Sequence, residues 1–169
     1  MATNDESMAT RVEDWICTAV QAIQFNSKNA FEAGTVLPWT GTDAGTVKAF
    51  SEELFRGTRE RIARVSFLDD QTFELADGQI KTKPTYLILI GVKDLRDVGQ
   101  ARRGDGTLWG TNAMRDLLES ALNQKRPNIT DGTRHTDKSH WLGASIAVLQ
   151  DNFCIMDARV AVDVVPKQG

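Results

Sequence analysis

Two histidines, two cysteines and an uneven scatter of arginines are the residues of this chain whose types and spacing invite a chemical reading. His135 and His140 fall in the polar, glycine-containing stretch Asn128 to His140, beside Asp131 and Asp137, a set that in principle gathers a divalent cation. Loop histidines five apart, with no third strong ligand at a fixed spacing, do not define such a site, so no metal is assigned. Cys17 and Cys154 each sit inside an apolar periodic run, with no Cys-x-x-Cys and no Cys/His pairing at zinc spacing. Both read as reduced core thiols in a cytosolic setting. The dinucleotide-binding, phosphate-loop, nucleophile-elbow and His-Glu-x-x-His patterns do not occur, so the chain is read as a non-enzyme without catalytic residues or cofactor. Arg103-Gly-Asp105 matches an adhesion tripeptide, but so short a match arises by chance and carries no function.

The arginines form two clusters. Arg56, Arg59, Arg61 and Arg64 crowd the approach to the first long strand, and Arg96, Arg102 and Arg103 crowd the glycine-rich stretch Asp94 to Gly106. One account is a solvated sheet edge, where charge prevents strand-to-strand aggregation. The other is that basic loops from several copies point into a shared lumen or onto an acidic partner. A net charge of −3 gives no global pull toward nucleic acid.

The elements that must position these residues follow from periodicity. Thr10 to Glu13 has the form of a capping box, and Val12, Trp15, Ile16, Ala19, Val20 and Ile23 recur at helical spacing to about Phe25. Asn26 to Gly45 is rich in Gly, Thr, Asn and Ser and reads as a long loop. Trp39 within it either folds back on the core or anchors a neighbouring subunit. Ser51 to Arg56 predicts a short helical turn, Arg61 to Leu68 a strand, Thr72 to Leu75 a short edge strand and Asp77-Gly78 a turn. Tyr86 to Val92 is an unbroken apolar run, the pattern of a central strand buried on both faces. A helix capped by Thr111 carries Met114, Leu117, Leu118, Ala121 and Leu122 inward and stops before Pro127.

The chain closes on Trp141 to Leu149 and Phe153 to Val165, two strands in consecutive order. Cys154, Met156, Ala158, Val160, Val162 and Val164 alternate with Asp157, Arg159 and Asp163, which predicts one core face and one wet face. Matching parity favours a three-residue connection, pairing 148 with 154 and 146 with 156, with Asn152 left-handed. The whole predicts a single α+β domain: a mixed or mainly antiparallel sheet, both helices on one face, and a C-terminal hairpin. Residues 1–9 read as a loose tail without a secretory signal, 10–165 as the domain and 166–169 as a second tail. The expected core joins Trp15, Ile16, Ala19, Ile23, Leu117, Leu118, Leu122, Leu87, Leu89, Val160 and Val162. At 169 residues the chain suffices for one core, with roughly 70% of its unfolded surface buried. Its 41% hydrophobic and 25% charged residues are ordinary for a globular protein, and its longest apolar run is far too short for a bilayer, so no membrane partner is expected.

This succession of helix, strand, long apolar strand Pro84 to Val92, basic glycine-rich loop, helix Thr111 to Leu122 and terminal hairpin resembles the Mu-like bacteriophage tail-terminator, or tail-completion, family over about residues 10 to 165. Trp141 and the strand Arg159-Val-Ala-Val162 add to the likeness. The resemblance implies a structural virion protein, assembled in the host cytoplasm and placed at the head-proximal end of the tail. There a ring of copies, hexameric in that family, caps the tail tube, ends its polymerisation and offers the head a surface to join. Its implied partners are other copies of itself, the tail tube protein, a head-completion or neck protein, a sheath protein, and DNA passing through the lumen without sequence-specific contact. On this basis Trp39, Arg56 and Arg59 are candidates for the subunit interface, and Arg96, Arg102 and Arg103 for a loop facing the lumen or a partner. The alternatives are a head-to-tail connector, a small nucleic-acid-binding module using the Arg clusters, and an enzyme using the histidines.

Overall fold

The computed structural model describes residues 7–39, 47–94, 100–150 and 152–167. The first helix begins at Ser7, whose hydroxyl accepts the backbone N–H of Thr10, and runs as α1 (Met8–Gln21). Ser7, and not Thr10, is therefore the cap, and Met8 is buried, so the end of the expected tail belongs to the domain. The helix stops short of Phe25 because Gln24–Phe25 (β1) pairs back on Lys28–Asn29 (β2). Asn26 and Ser27, at φ 51° and 62°, supply the left-handed turn between them. The segment expected as a loop is further ordered by Gln21, whose side-chain amide donates to the carbonyls of Phe31 and Glu32 and accepts from Val36 N–H.

Val36–Pro38 (β3) then pairs parallel with Arg61–Asp69 (β4), and every other pairing among the described residues is antiparallel. The strands Thr72–Glu74 (β5), Ile80–Thr82 (β6), Thr85–Lys93 (β7), Arg134–Gln150 (β8) and Phe153–Pro166 (β9) complete a seven-stranded sheet. Its order is β3-β4-β7-β9-β6-β5, with β8 on the far side of β9, so β8 and β5 lie on opposite edges. The protein is an α+β domain, and among the described residues no helix is long and apolar enough to cross a membrane.

Both faces of the central strands are covered, as the unbroken apolar run of β7 predicts, whereas the helices were expected on one face only. Tyr86, Ile88, Ile90 and Val92 of β7 join Met156, Ala158, Val160 and Val162 of β9 under α1 and the helix α4 (Thr111–Leu122). Leu87 and Leu89 point the other way and do not share that core. They pack with Ile62, Phe153 and Ile155 beneath Phe50 and Leu54 of a third helix, α2 (Val47–Arg56). Alternation along the strand puts successive residues on opposite faces, so a strand roofed on both sides has to be apolar throughout. Gly91 is what lets α2 come so close: a β-carbon there would lie 2.8 Å from Phe50 Cε1 and 2.9 Å from Leu54 Cδ2.

Helix α4 has the expected span, but its N-cap is Gly110; Thr111 is buried with its hydroxyl 3.3 Å from Cys154 Sγ. The terminal hairpin departs from expectation at its turn. Gln150 pairs with Phe153, a two-residue connection whose Asp151 lies outside the described residues, so 148 does not face 154. Leu149 pairs with Cys154 and Val148 with Ile155; the ladder then shifts by one residue at Ala147 and brings Ile146 opposite Met156, as the parity demanded. Two more shifts, between Thr136 and Ser139 and between Trp141 and Gly143, follow along β8. His135 and His140 consequently lie in a strand and not in a loop. β9 is also not wet on its second face, since Phe153, Ile155, Ala161 and Asp163 are buried and only Arg159 is exposed. Pro166, expected in the C-terminal tail, instead ends β9, and Lys167 N–H bonds Thr133 O at 2.8 Å.

Candidate interaction surfaces

The four arginines leading into β4 divide by what their neighbours accept. Arg61 is 8% exposed; its Nε donates to Trp109 O at 3.0 Å and its guanidinium lies 5.3 Å from the Trp109 ring. Arg64 is held by Glu53 and by the carbonyls of Thr35 and Ala63, each at 2.8 Å. These two fasten β4 to its surroundings, which removes them from any solvent-facing basic patch. Arg56 is exposed in the last turn of α2, and Arg59 is exposed and paired with Glu32 on the rim of an open cleft of about 630 Å³.

Trp39 continues β3, its N–H bonded to Val65 O at 2.8 Å. Its half-buried ring packs against the α2-side core and borders Arg64, Ser66, Leu87 and Leu89. The indole thus folds back on its own domain.

Arg96 lies outside the described residues. Arg102 and Arg103 end a short helix, α3 (Gln100–Arg103), where the sequence predicted a flexible loop. Ala101 buries beneath it, and the following turn is tight: Asp105 Oδ1 accepts the N–H groups of Thr107 and Leu108, and Trp109 donates its indole N–H to Ala30 O at 2.6 Å. A β-carbon on Gly110 would lie 2.4 Å from Arg102 O, so only glycine lets this turn close on α3. The two arginines therefore stand exposed on an ordered ledge beside β9. Burial pushes the Cys154 thiol up, and the Thr111 hydroxyl and the charge of Arg102 partly offset that rise.

The histidines do not converge on one another. His140 Nε2 lies 2.8 Å from Asp163 Oδ2, which also receives Lys81 Nζ at 3.2 Å, while His135 pairs with Val165 in the ladder. Burial pushes the Asp163 carboxyl up, but the bonds from His140 and Lys81 outweigh it and hold the group below the ordinary carboxylate value. Among the described residues no three His, Cys, Asp or Glu side chains form a group able to hold a metal ion.

Two exposed apolar surfaces emerge that motif reading passes over. The first is an arm: every residue from Phe67 through Gly78 is exposed, at the end of β4 and along the β5–β6 hairpin. Phe67, Leu68, Phe73, Leu75 and Ile80 are 36–56% exposed there. The second is the outer edge of β8. Its first half is closed by the chain after α4, where Ser139 N–H bonds Lys125 O, Gln124 N–H bonds Ser139 O and Thr136 N–H bonds Ile129 O. Beyond Trp141 no backbone group of 142–150 has a partner outside β9 among the described residues, and Leu142, Ile146 and Leu149 are 51%, 41% and 50% exposed. The usable signal was composition: 67–80 holds four acids and no base, and 142–150 holds no charge at all.

Neither protein-family models nor curated proteins give a match to this chain.

Proposed function

We propose that the protein is a structural component that assembles with copies of itself into a closed ring, and that the ring caps the end of a phage tail tube, stopping its growth and presenting a surface to the head. The observation that carries this reading is the pair of unlike apolar surfaces, the Phe67–Gly78 arm and the 142–150 edge of β8, on opposite edges of one sheet. Large exposed apolar patches mark interaction sites. A ring needs two different patches per subunit, each meeting the other on the next copy. The arginines add to this: Arg61 and Arg64 are consumed inside the domain, which weakens a nucleic-acid role, while Arg102 and Arg103 present positive charge to an acidic surface outside the protomer. The resemblance to the tail-terminator family supplies the tube end as the partner and six as the copy number.

The test is sedimentation velocity and electron microscopy of the purified protein, alone and with tail tubes. Closed rings, free or seated on tube ends, are expected. A protein that stays monomeric and leaves tube ends bare would overturn the reading.

A further inference from the structure

We infer that the β4–β6 arm of one copy docks along the outer edge of β8, at residues 142–150, of a second copy. This names the two patches that the ring reading requires and rests on it. Three observations choose this occupant.

Edge strands are normally guarded by charge or proline, and 142–150 has neither. What it has is two ladder shifts, at Leu142 and Ala147, which break the edge into the short regular runs 143–146 and 148–150. A second β8 cannot lie along such an edge in one long ladder. β5, three residues long and among the described residues bonded in the ladder only to β6, can match one run and satisfy the backbone groups left open on both strands.

The side chains agree. Ile146 and Leu149, opposite Met156 and Cys154, stand on the α4 side of the edge, where no element of the same chain covers them fully. The arm offers Phe73 and Leu75, one residue apart on one face of its strand, and neither is needed for the arm's own core, because it has none.

Charge sets the polarity. Residues 67–80 of the arm carry Asp69, Asp70, Glu74 and Asp77 without a base, so the tips of two arms repel one another. Ala101 of α3 packs in the same core as Cys154 and Met156, so the exposed Arg102 and Arg103 stand on the α4 side of the sheet, the side on which Ile146 and Leu149 lie. An acidic apolar arm laid on an uncharged apolar edge with a basic rim is a head-to-tail contact, which leaves a free arm and a free edge on every open chain until the ring closes.

Head-to-tail docking makes a prediction no symmetric contact makes. Phe73→Glu disables the arm and Ile146→Glu disables the edge; each variant alone associates at least about tenfold more weakly than wild type, in the range of hot-spot losses. Mixed in equal amounts, the two form a dimer and stop, because the intact arm of one meets the intact edge of the other. Circular dichroism and thermal melting check that each variant is folded, and Leu149→Glu replaces Ile146→Glu should the latter melt early. Wild-type rings with both variants assembling as tightly as wild type would overturn the docking and leave the ring reading intact. Association that needs both patches but yields only open chains would uphold the docking and overturn the ring. A wild type that stays monomeric at its solubility limit and leaves tail-tube ends bare would overturn both.

Discussion

His140 and Asp163 are joined at 2.8 Å across the β8–β9 ladder, and Lys81 of β6 meets the same carboxylate oxygen at 3.2 Å. One buried acid therefore ties three strands at the point where β6 hands over to β9. Its folded pKa lies below the ordinary value, so the stabilisation is present above that value and is lost as pH falls through the folded one. Asp163→Asn should cost about 1–3 kcal/mol at neutral pH, and the difference from wild type should shrink as pH falls through the folded pKa. Urea titrations across the acid range measure this; an equal cost at every pH would refute it.

Gly91→Ala should destabilise the domain by about 1–3 kcal/mol, because the new methyl meets Phe50 and Leu54 at under 3 Å. Since the obstructing atoms are the ends of side chains on α2, Phe50→Leu in the same background should return part of the loss. A double variant no better than the single one would place the strain elsewhere.

Why some of this was legible and some was not comes down to range. The stripe Met114, Leu118 and Leu122 repeats every four residues and closes before Pro127, so α4 is written locally. The apolar run of β7 likewise announces a strand covered twice, though nothing in it says that α2 is the second cover. The shift at Ala147 leaves no mark in composition, so parity predicted the 146–156 pair and missed the turn that precedes it. The histidine segment looked like a loop because Thr136 and Ser139 are polar. Their hydroxyls in fact turn inward, to Ile129 and to Leu122 O, and only the partner segment makes that visible. The arm was hidden for the opposite reason: Phe73 and Leu75 look like an ordinary strand face until the sheet is seen to end beside them.

The thiols give a solution test of packing. Burial, helped by Glu13 and Asp14, pushes Cys17 up to about 12, and burial raises Cys154 as well. The thiolate is the reactive form, so both should resist alkylation near pH 8 in the native protein and react together on unfolding. Rapid native labelling of either by mass spectrometry would contradict the packing.

Trp39→Ala should lower the stability of the domain itself, by about 2 kcal/mol or more, because the ring packs against the α2-side core. Chemical denaturation at protein concentrations too low for assembly isolates this term. An unchanged midpoint there, with weakened association, would make the ring a subunit anchor instead.

The position of β9 in the sheet also bears on how the chain is made. It bonds β7, β6 and β8, yet all three precede it in sequence. During synthesis β7 reaches the solvent some sixty residues before its partner, with one apolar edge unmatched. A ribosome that pauses within 134–152, or a product cut there, would leave that edge open to other chains, the circumstance in which β-rich intermediates aggregate. The burden of solubility in that interval falls on α1 and α2, which are already complete and can shield β7 from both sides before the sheet is closed.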